Sequence, residues 1–222
     1  MAKIMNHKGT LIIKTGRLTL RPFKKSDVED VYNNYGGDIN ITKYISWVPC
    51  DTIEKCEDFI NFNLKEYESN PKFYSWVITL SDVIIGSIGI FNVNEDNNSG
   101  ELGYSLGSKW WGNGFITEAC DAVIGYAFNE IGFNRIYASC HEENIGSKKV
   151  MEKVSMKYEG LLRDGQRNLD GTYSNLLLYA ILKGIVKTNP PYPSFMIYFL
   201  HILSVLRNIL QVNQVTHRHY LF

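Results

Sequence analysis

The period of the apolar residues switches abruptly in the middle of the chain, and that switch limits the folds open to it. Residues 73–80 and 84–91 alternate in β-branched and aromatic side chains, with Ser81-Asp82 between them as a turn. A polar loop over 92–99 leads to a third such segment at 101–106, so the sequence predicts an antiparallel meander. Gly107-Ser108-Lys109-Trp110-Trp111-Gly112-Asn113-Gly114 ends it. From Phe115 to about Glu130 the period becomes helical, with Ile116, Ala119, Val123, Ala127 and Ile131 on one face. Strand, glycine loop and helix in that order can hold an anion, because the first N–H groups of a helix lack partners and carry the positive end of its dipole. Glycines at 112 and 114 remove Cβ atoms, so backbone could close on a phosphate. An ordinary tight turn would look the same. The chain has no G-x-x-x-x-G-K-[ST], which excludes a P-loop. The preceding strand belongs to a meander and residue 117 is threonine, which excludes the dinucleotide fingerprint.

The flanking segments complete an α+β pattern. Arg17-Leu18-Thr19-Leu20-Arg21 reads as a short strand stopped by Pro22. Ser26 to Glu29 and Asp51 to Glu54 have capping-box spacing and open helices over about 27–35 and up to Asn70-Pro71. In the second helix Cys56, Phe59, Ile60 and Tyr67 share a side. Residues 135–141 form a strand, 144–153 a helix, and 158–167 with 173–182 a hairpin around Asp170-Gly171. About seven strands and four helices in mixed order give one domain over residues 15–183, after an N-terminal extension, 1–14. Residues 184–222 are a proline-containing linker and an apolar tail. Its uncharged run, 195–206, would span about 18 Å as a helix, short of the ~30 Å hydrocarbon core. An extra packed helix, a subunit contact or a peripheral membrane contact all remain open for it.

Composition removes other classes. Lys plus Arg number 23 and Asp plus Glu number 23, so no basic surplus exists for nucleic acid. Cys50, Cys56, Cys120 and Cys140 form no C-x-x-C pair, which argues against a structural metal site and a disulfide scaffold. Residues 1–10 lack the apolar stretch of a secretory signal, and a cytoplasmic location is expected.

Lys109-x-x-Gly112-x-Gly114 resembles the acetyl-CoA pyrophosphate loop of the GNAT N-acetyltransferases, [QR]-x-x-G-x-[GA], with lysine at the first position. Trp111-Gly112-Asn113-Gly114-Phe115-Ile116-Thr117-Glu118-Ala119 is similar to the W-G-x-G-[YF]-x-T-E-A of the branch that acetylates ribosomal-protein N-termini. Thr15-x-Arg17-Leu18-x-Leu20-Arg21, Glu101-Leu102-Gly103-Tyr104 and Asn144-x-x-Ser147 match in order and spacing, so the resemblance covers about residues 15–183. It implies a largely antiparallel seven-stranded sheet splayed between the strands 101–106 and 135–141, with the pantetheine arm of acetyl-CoA in the opening. Tyr104, Ser105 and Leu106 would offer backbone groups to the arm, and Lys109 with Trp111 to Thr117 would hold the pyrophosphate. The acceptor would be an amine, whether a protein N-terminus, a polyamine or another small amine. A homodimer is left open.

Amide formation needs a base for the ammonium proton and a proton for the departing thiolate. Glu101 is the candidate base, although a cross-strand ion pair or a plain exposed carboxylate would leave the same trace in sequence. Asn144 resembles the family asparagine that bonds the cofactor arm, and a helix N-cap would look identical. Ser147 matches the serine placed near the sulfur. Met151 stands where many members have tyrosine, so the acid is either Ser147 or unnecessary. His141 reads as a strand-end residue, and Cys120 and Cys140 as core. Ser155 replaces the family glycine after this helix, a substitution that costs on the order of 1 kcal/mol in a left-handed cap. The competing class is a silent acyl-CoA-binding sensor, associated with membrane through the tail.

Overall fold

A computed structural model describes residues 5–44 and 50–185. The strands are β1 (Ile13–Lys14), β2 (Leu18–Arg21), β3 (Tyr74–Leu80), β4 (Val83–Asn94), β5 (Ser99–Leu106), β6 (Arg135–His141), β7 (Lys157–Arg167) and β8 (Tyr173–Leu182). They form one eight-stranded sheet in the order β1-β2-β3-β4-β5-β6-β8-β7. The expected α+β class is found, with one strand more than the seven anticipated. The addition is β1, whose two residues pair with Thr19 and Leu20 and are too short to display a period.

The helices are α1 (Val28–Val31), α2 (Ile53–Ser69), α3 (Phe115–Tyr126) and α4 (Ile145–Lys153). Both anticipated capping boxes give way to other arrangements. At α1 the carboxylate of Asp27, not Ser26, accepts from the Lys24 N–H at 2.8 Å, and it also binds the Arg21 guanidinium. At α2 the N-cap is Thr52, whose hydroxyl accepts from the Lys55 N–H at 3.3 Å, while Asp51 pairs with the Lys55 ammonium. The Ser81-Asp82 turn has φ of 47° and 68°, the doubly left-handed geometry that matches strand twist in a two-residue hairpin. Ser155 adopts the left-handed cap expected of it, with φ of 64°, and the Met156 N–H closes on the Met151 carbonyl at 3.0 Å.

The sheet divides two cores. Even-numbered β3 residues Tyr74, Trp76 and Ile78 pack with Ala119, Cys120 and Val123 of α3. Val77 and Ile84 face the other way, against Val31, Cys56 and Ile60 of α1 and α2. Burying a side chain such as Ile60 completely is worth roughly 1.5–3 kcal/mol, which pins α2 to its face by one edge. Phe59, expected on the side of Cys56 and Ile60, lies instead with Phe62 on the exposed opposite edge of α2, because Phe59 falls just past the stripe that meets the sheet.

One junction in the sheet is parallel. β5 pairs with β6 only through Ser99–Arg135, Gly100–Ile136 and Glu101–Tyr137. Past Glu101, β5 continues on β4 as far as Leu106, and β6 continues on β8 as far as His141. The two strands part company there, and the sheet opens.

Candidate active site

A cavity of about 710 Å³ occupies the opening. Side-chain alternation gives it two sides. Leu102, Tyr104 and Leu106 of β5, with Ala138 and Cys140 of β6, belong to the α3 side. Glu101, Gly103, Ser105, Ser139 and His141 therefore point to the α2 side.

Backbone phase follows from one bond. The Gly107 N–H donates to the Ile85 carbonyl at 2.9 Å, which makes odd-numbered β5 residues the hydrogen-bonded partners of β4. Leu102, Tyr104 and Leu106 thus turn their backbone groups toward the side that β6 has vacated, while those of Ser105 face Ser87. The Leu106 carbonyl already accepts from the Trp111 indole N–H at 2.7 Å.

The loop from 107 to 114 is held at both ends. Ser108 donates its backbone N–H to Asp38 at 2.7 Å. Burial works against ionisation of Asp38, but hydrogen bonds from Ser108 and Asn40 outweigh it and hold the carboxyl below its usual range. Gly112 and Gly114 both have φ of 77°, a region that side-chain-bearing residues enter only with strain. Around Gly112 no atom lies within 4 Å of the position a Cβ would take, so dihedral angle rather than crowding requires glycine there. Asn113 spans the turn, its side-chain amide donating to the carbonyls of Trp110 and Trp111 at 3.2 and 3.0 Å.

Arg17 clamps the far end. Its Nε donates to Glu118 at 2.6 Å, its Nη1 to the Asn113 carbonyl at 3.0 Å, and its guanidinium lies 4.5 Å from the Phe115 ring centroid. Thr15 Oγ1 and the Arg17 N–H also donate to Glu118, at 2.5 and 2.9 Å. Burial again opposes ionisation of Glu118, and these donors reverse it, so its carboxyl sits below the ordinary value.

Across the opening, Asn144 caps α4 by accepting from the Ser147 N–H at 3.0 Å. The Ser147 hydroxyl shares a 2.7 Å hydrogen bond with the Tyr104 hydroxyl. Burial drives the Tyr104 phenol far above its usual range and pushes the Cys140 thiol up to about 11. On the α2 side Glu101 is half-buried and accepts from Ser139 at 3.1 Å and from Asn92 at 2.8 Å.

Comparison with known proteins decides the family. Residues 17–157 match the model of the acetyltransferase (GNAT) domain. The chain belongs to the GNAT acetyltransferase family. An uncharacterized N-acetyltransferase, p20 of Bacillus licheniformis, is 34% identical over 170 residues, covering 76% of this chain and 94% of its own. The ribosomal-protein-serine acetyltransferase of Escherichia coli is 28% identical over 105 residues, covering 47% of this chain and 58% of its own. A crystal structure of a GNAT-family acetyltransferase from Bacillus anthracis superposes with a TM-score of 0.69 at 28% identity, over 78% of this chain and 99% of that one.

In this GNAT acetyltransferase the anticipated residues fall into three groups. Tyr104, Asn144 and Ser147 meet on the α3 side of the opening, Leu106 ends β5 in the core of that side, and Glu101 stands across from them on the α2 side. Trp111, Gly112, Asn113 and Gly114 form the loop, and the N–H groups of Phe115, Ile116 and Thr117 begin α3. The side chains of Phe115 and Ile116 pack against the core, which leaves their backbone for an anion. Lys109 is exposed on the single turn of residues 108–110, and Ser105 turns its backbone to β4. His141 lies against Tyr44 at 5.2 Å between ring centroids, with Nδ1 accepting from the Glu143 N–H. Cys120 is fully buried, whereas Cys140, expected in the core, also borders the cavity. The tail 186–222 lies outside the described residues. Arg17 and Glu118 both lie within the family-like motifs, yet opposite charges 101 residues apart do not announce a pair in sequence. Nor does the sequence mark Ser139 and Asn92 as the donors to Glu101. No helix among the described residues is long and apolar enough to cross a membrane.

Proposed function

We propose that the protein transfers the acetyl group of acetyl-CoA directly to a primary amine that enters from the α2 side of the opened sheet. The observation that carries this reading is the two-sided cavity, lined by a carboxylate on one side of β5 and by the Tyr104 and Ser147 hydroxyls on the other, with the glycine loop following the end of β5. The residues fit the coenzyme. Free N–H groups at the start of α3 and the left-handed turns at Gly112 and Gly114 suit a diphosphate. The edge of β5 at Tyr104 and the Leu106 N–H, beyond its last pairing with β6, suits an extended amide-bearing arm. Acetyl-CoA supplies an acyl thioester, which an unprotonated amine attacks.

Glu101 is the group that receives the ammonium proton, directly or through water. Ser139 and Asn92 occupy part of its acceptor capacity and fix the carboxylate in place, so its remaining lone pairs face the cavity. Ser147 holds a proton on the opposite side. Its hydroxyl is bonded to Tyr104, whose own proton is retained by burial, so the pair can offer a hydrogen bond to the departing thiolate while the proton it finally takes comes from solvent. Asn144 fixes the first turn of α4 that carries Ser147. Cys140 is held as a thiol by burial, in keeping with transfer that needs no acyl-cysteine.

Thiol release from acetyl-CoA, followed with a panel of primary amines and mass detection of the acetylated product, tests the proposal. Saturable coenzyme A binding with no release above background for any amine would establish the sensor instead.

A further inference from the structure

The α2 side of the cavity has a composition that discriminates among amines. Its floor is made of small residues on four neighbouring strands: Ser75, Ser87, Gly89, Gly103, Ser105 and Ser139. Over that floor stand four phenylalanines. Phe59 and Phe62 come from α2 and are 37% and 55% exposed, although both are large apolar side chains. Phe73 meets the Phe62 ring edge-on at 5.8 Å between centroids. Phe91 is 47% exposed, and its ring lies so close over the strands that a Cβ at Gly89 or Gly103 would approach it to 2.8 or 2.9 Å. A clustered set of half-exposed aromatic rings around a cavity is the unusual observation, since scattered exposed apolar residues are ordinary.

Charge is sparse by contrast. Among the described residues lining the cavity, Glu101 is the acid, and the basic groups are Lys55, already paired with Asp51 at 2.7 Å, and His141, which lies against Tyr44. The wall also holds Asn63, 1% exposed, whose amide nitrogen donates to the Phe59 carbonyl while its oxygen has no partner.

Resting on the acetyltransferase reading above, we infer that the acceptor carries a single ammonium group on an apolar body, and that polycationic amines are excluded. Glu101 satisfies one cationic centre. A second or third ammonium drawn over the phenylalanines would gain only a cation–π contact with the rings and find no second carboxylate in the lining to offset the water it loses. An aromatic or aliphatic body displaces water from the four rings and lies flat on the serine and glycine floor. Two sources share that chemistry: the free chain end of a peptide with an apolar first residue, and a small arylalkylamine.

Steady-state acetylation compares a tripeptide beginning with phenylalanine, 2-phenylethylamine and spermidine. The expected kcat/KM for the better of the first two exceeds that for spermidine on the order of tenfold or more. Whichever of those two leads identifies the source. Phe62→Glu adds a carboxylate on the exposed edge of α2 and should move the ratio several-fold toward spermidine at an unchanged KM for acetyl-CoA. Equal or better use of spermidine by the wild type, or an unmoved ratio in the folded variant, overturns the inference. If no amine is acetylated, calorimetric titration of the three amines into the enzyme–coenzyme A complex still decides. Saturable binding of the apolar amines alone retains the chamber assignment and removes the transferase reading; any other pattern removes both.

Discussion

The two sides of the opened sheet are built by different means. On the α3 side the contacts proposed for the coenzyme are mostly backbone, with left-handed turns at Gly112 and Gly114, the first N–H groups of α3 and the edge of β5, beside the hydroxyls of Tyr104 and Ser147. On the α2 side the chemistry resides in side chains, with Glu101 held by Ser139 and Asn92 beneath a phenylalanine wall. A site made of backbone tolerates few changes but serves one ligand shape. A site made of side chains can be re-specified one residue at a time. The difference explains why a cofactor loop is readable as a short motif whereas an acceptor chamber is not.

Four substitutions would break or sharpen that contrast. Glu101→Gln, on the side-chain side, should lower kcat by about 10² or more while leaving acetyl-CoA affinity unchanged, because it removes a proton acceptor and nothing of the loop. Its alkaline rise in turnover should also flatten, and a wild-type pH profile in this variant would remove Glu101 as the base. Gly112→Val, on the backbone side, should weaken acetyl-CoA binding about tenfold or more by calorimetry, since valine resists a φ of 77°. Unchanged affinity there would show that the loop does not seat the ligand.

Arg17→Ala should raise the KM for acetyl-CoA a few-fold with kcat largely kept, because Arg17 positions the loop through Asn113 and Glu118. Lysine at that position should restore part of the effect. This pair also carries a pH signature. The folded-state carboxyl of Glu118 lies below its ordinary value of 4.5. The stability it contributes is complete above that value and is lost as pH falls through the lower folded value. Urea melts of wild type and Arg17→Ala should therefore differ most near neutrality and converge in acid; a gap that widened in acid would contradict the assignment. The smallest effect belongs to Ser155→Gly. Relief of the left-handed serine should stabilise the fold by about 1 kcal/mol, or roughly 2–4 °C in melting temperature, with no change in kinetics.

Most strands and helices were legible because period 2 and period 3.6 are local properties. The Ser81-Asp82 and Asp170-Gly171 turns were legible because short polar residues and glycine mark turns, with Asp82 and Gly171 at positive φ. Helix starts were less so. Ser26 and Asp51 had the right spacing, yet Asp27 was taken by Arg21 and Lys24, and Thr52 stood one residue closer to its donor. Short polar side chains near a helix start compete for the same N–H groups, and tertiary neighbours choose among them.

By itself the sequence determined the meander, the glycine loop, the helix that follows and the family to which they point, because each depends on residues close together in the chain. Only the tertiary structure decided that β6 leaves β5 after Glu101, that both faces of β5 then border one cavity, and that Arg17 reaches Glu118. Those facts depend on pairings between residues tens of positions apart, whose register is fixed by the packing of two cores on one sheet, and no local pattern encodes them.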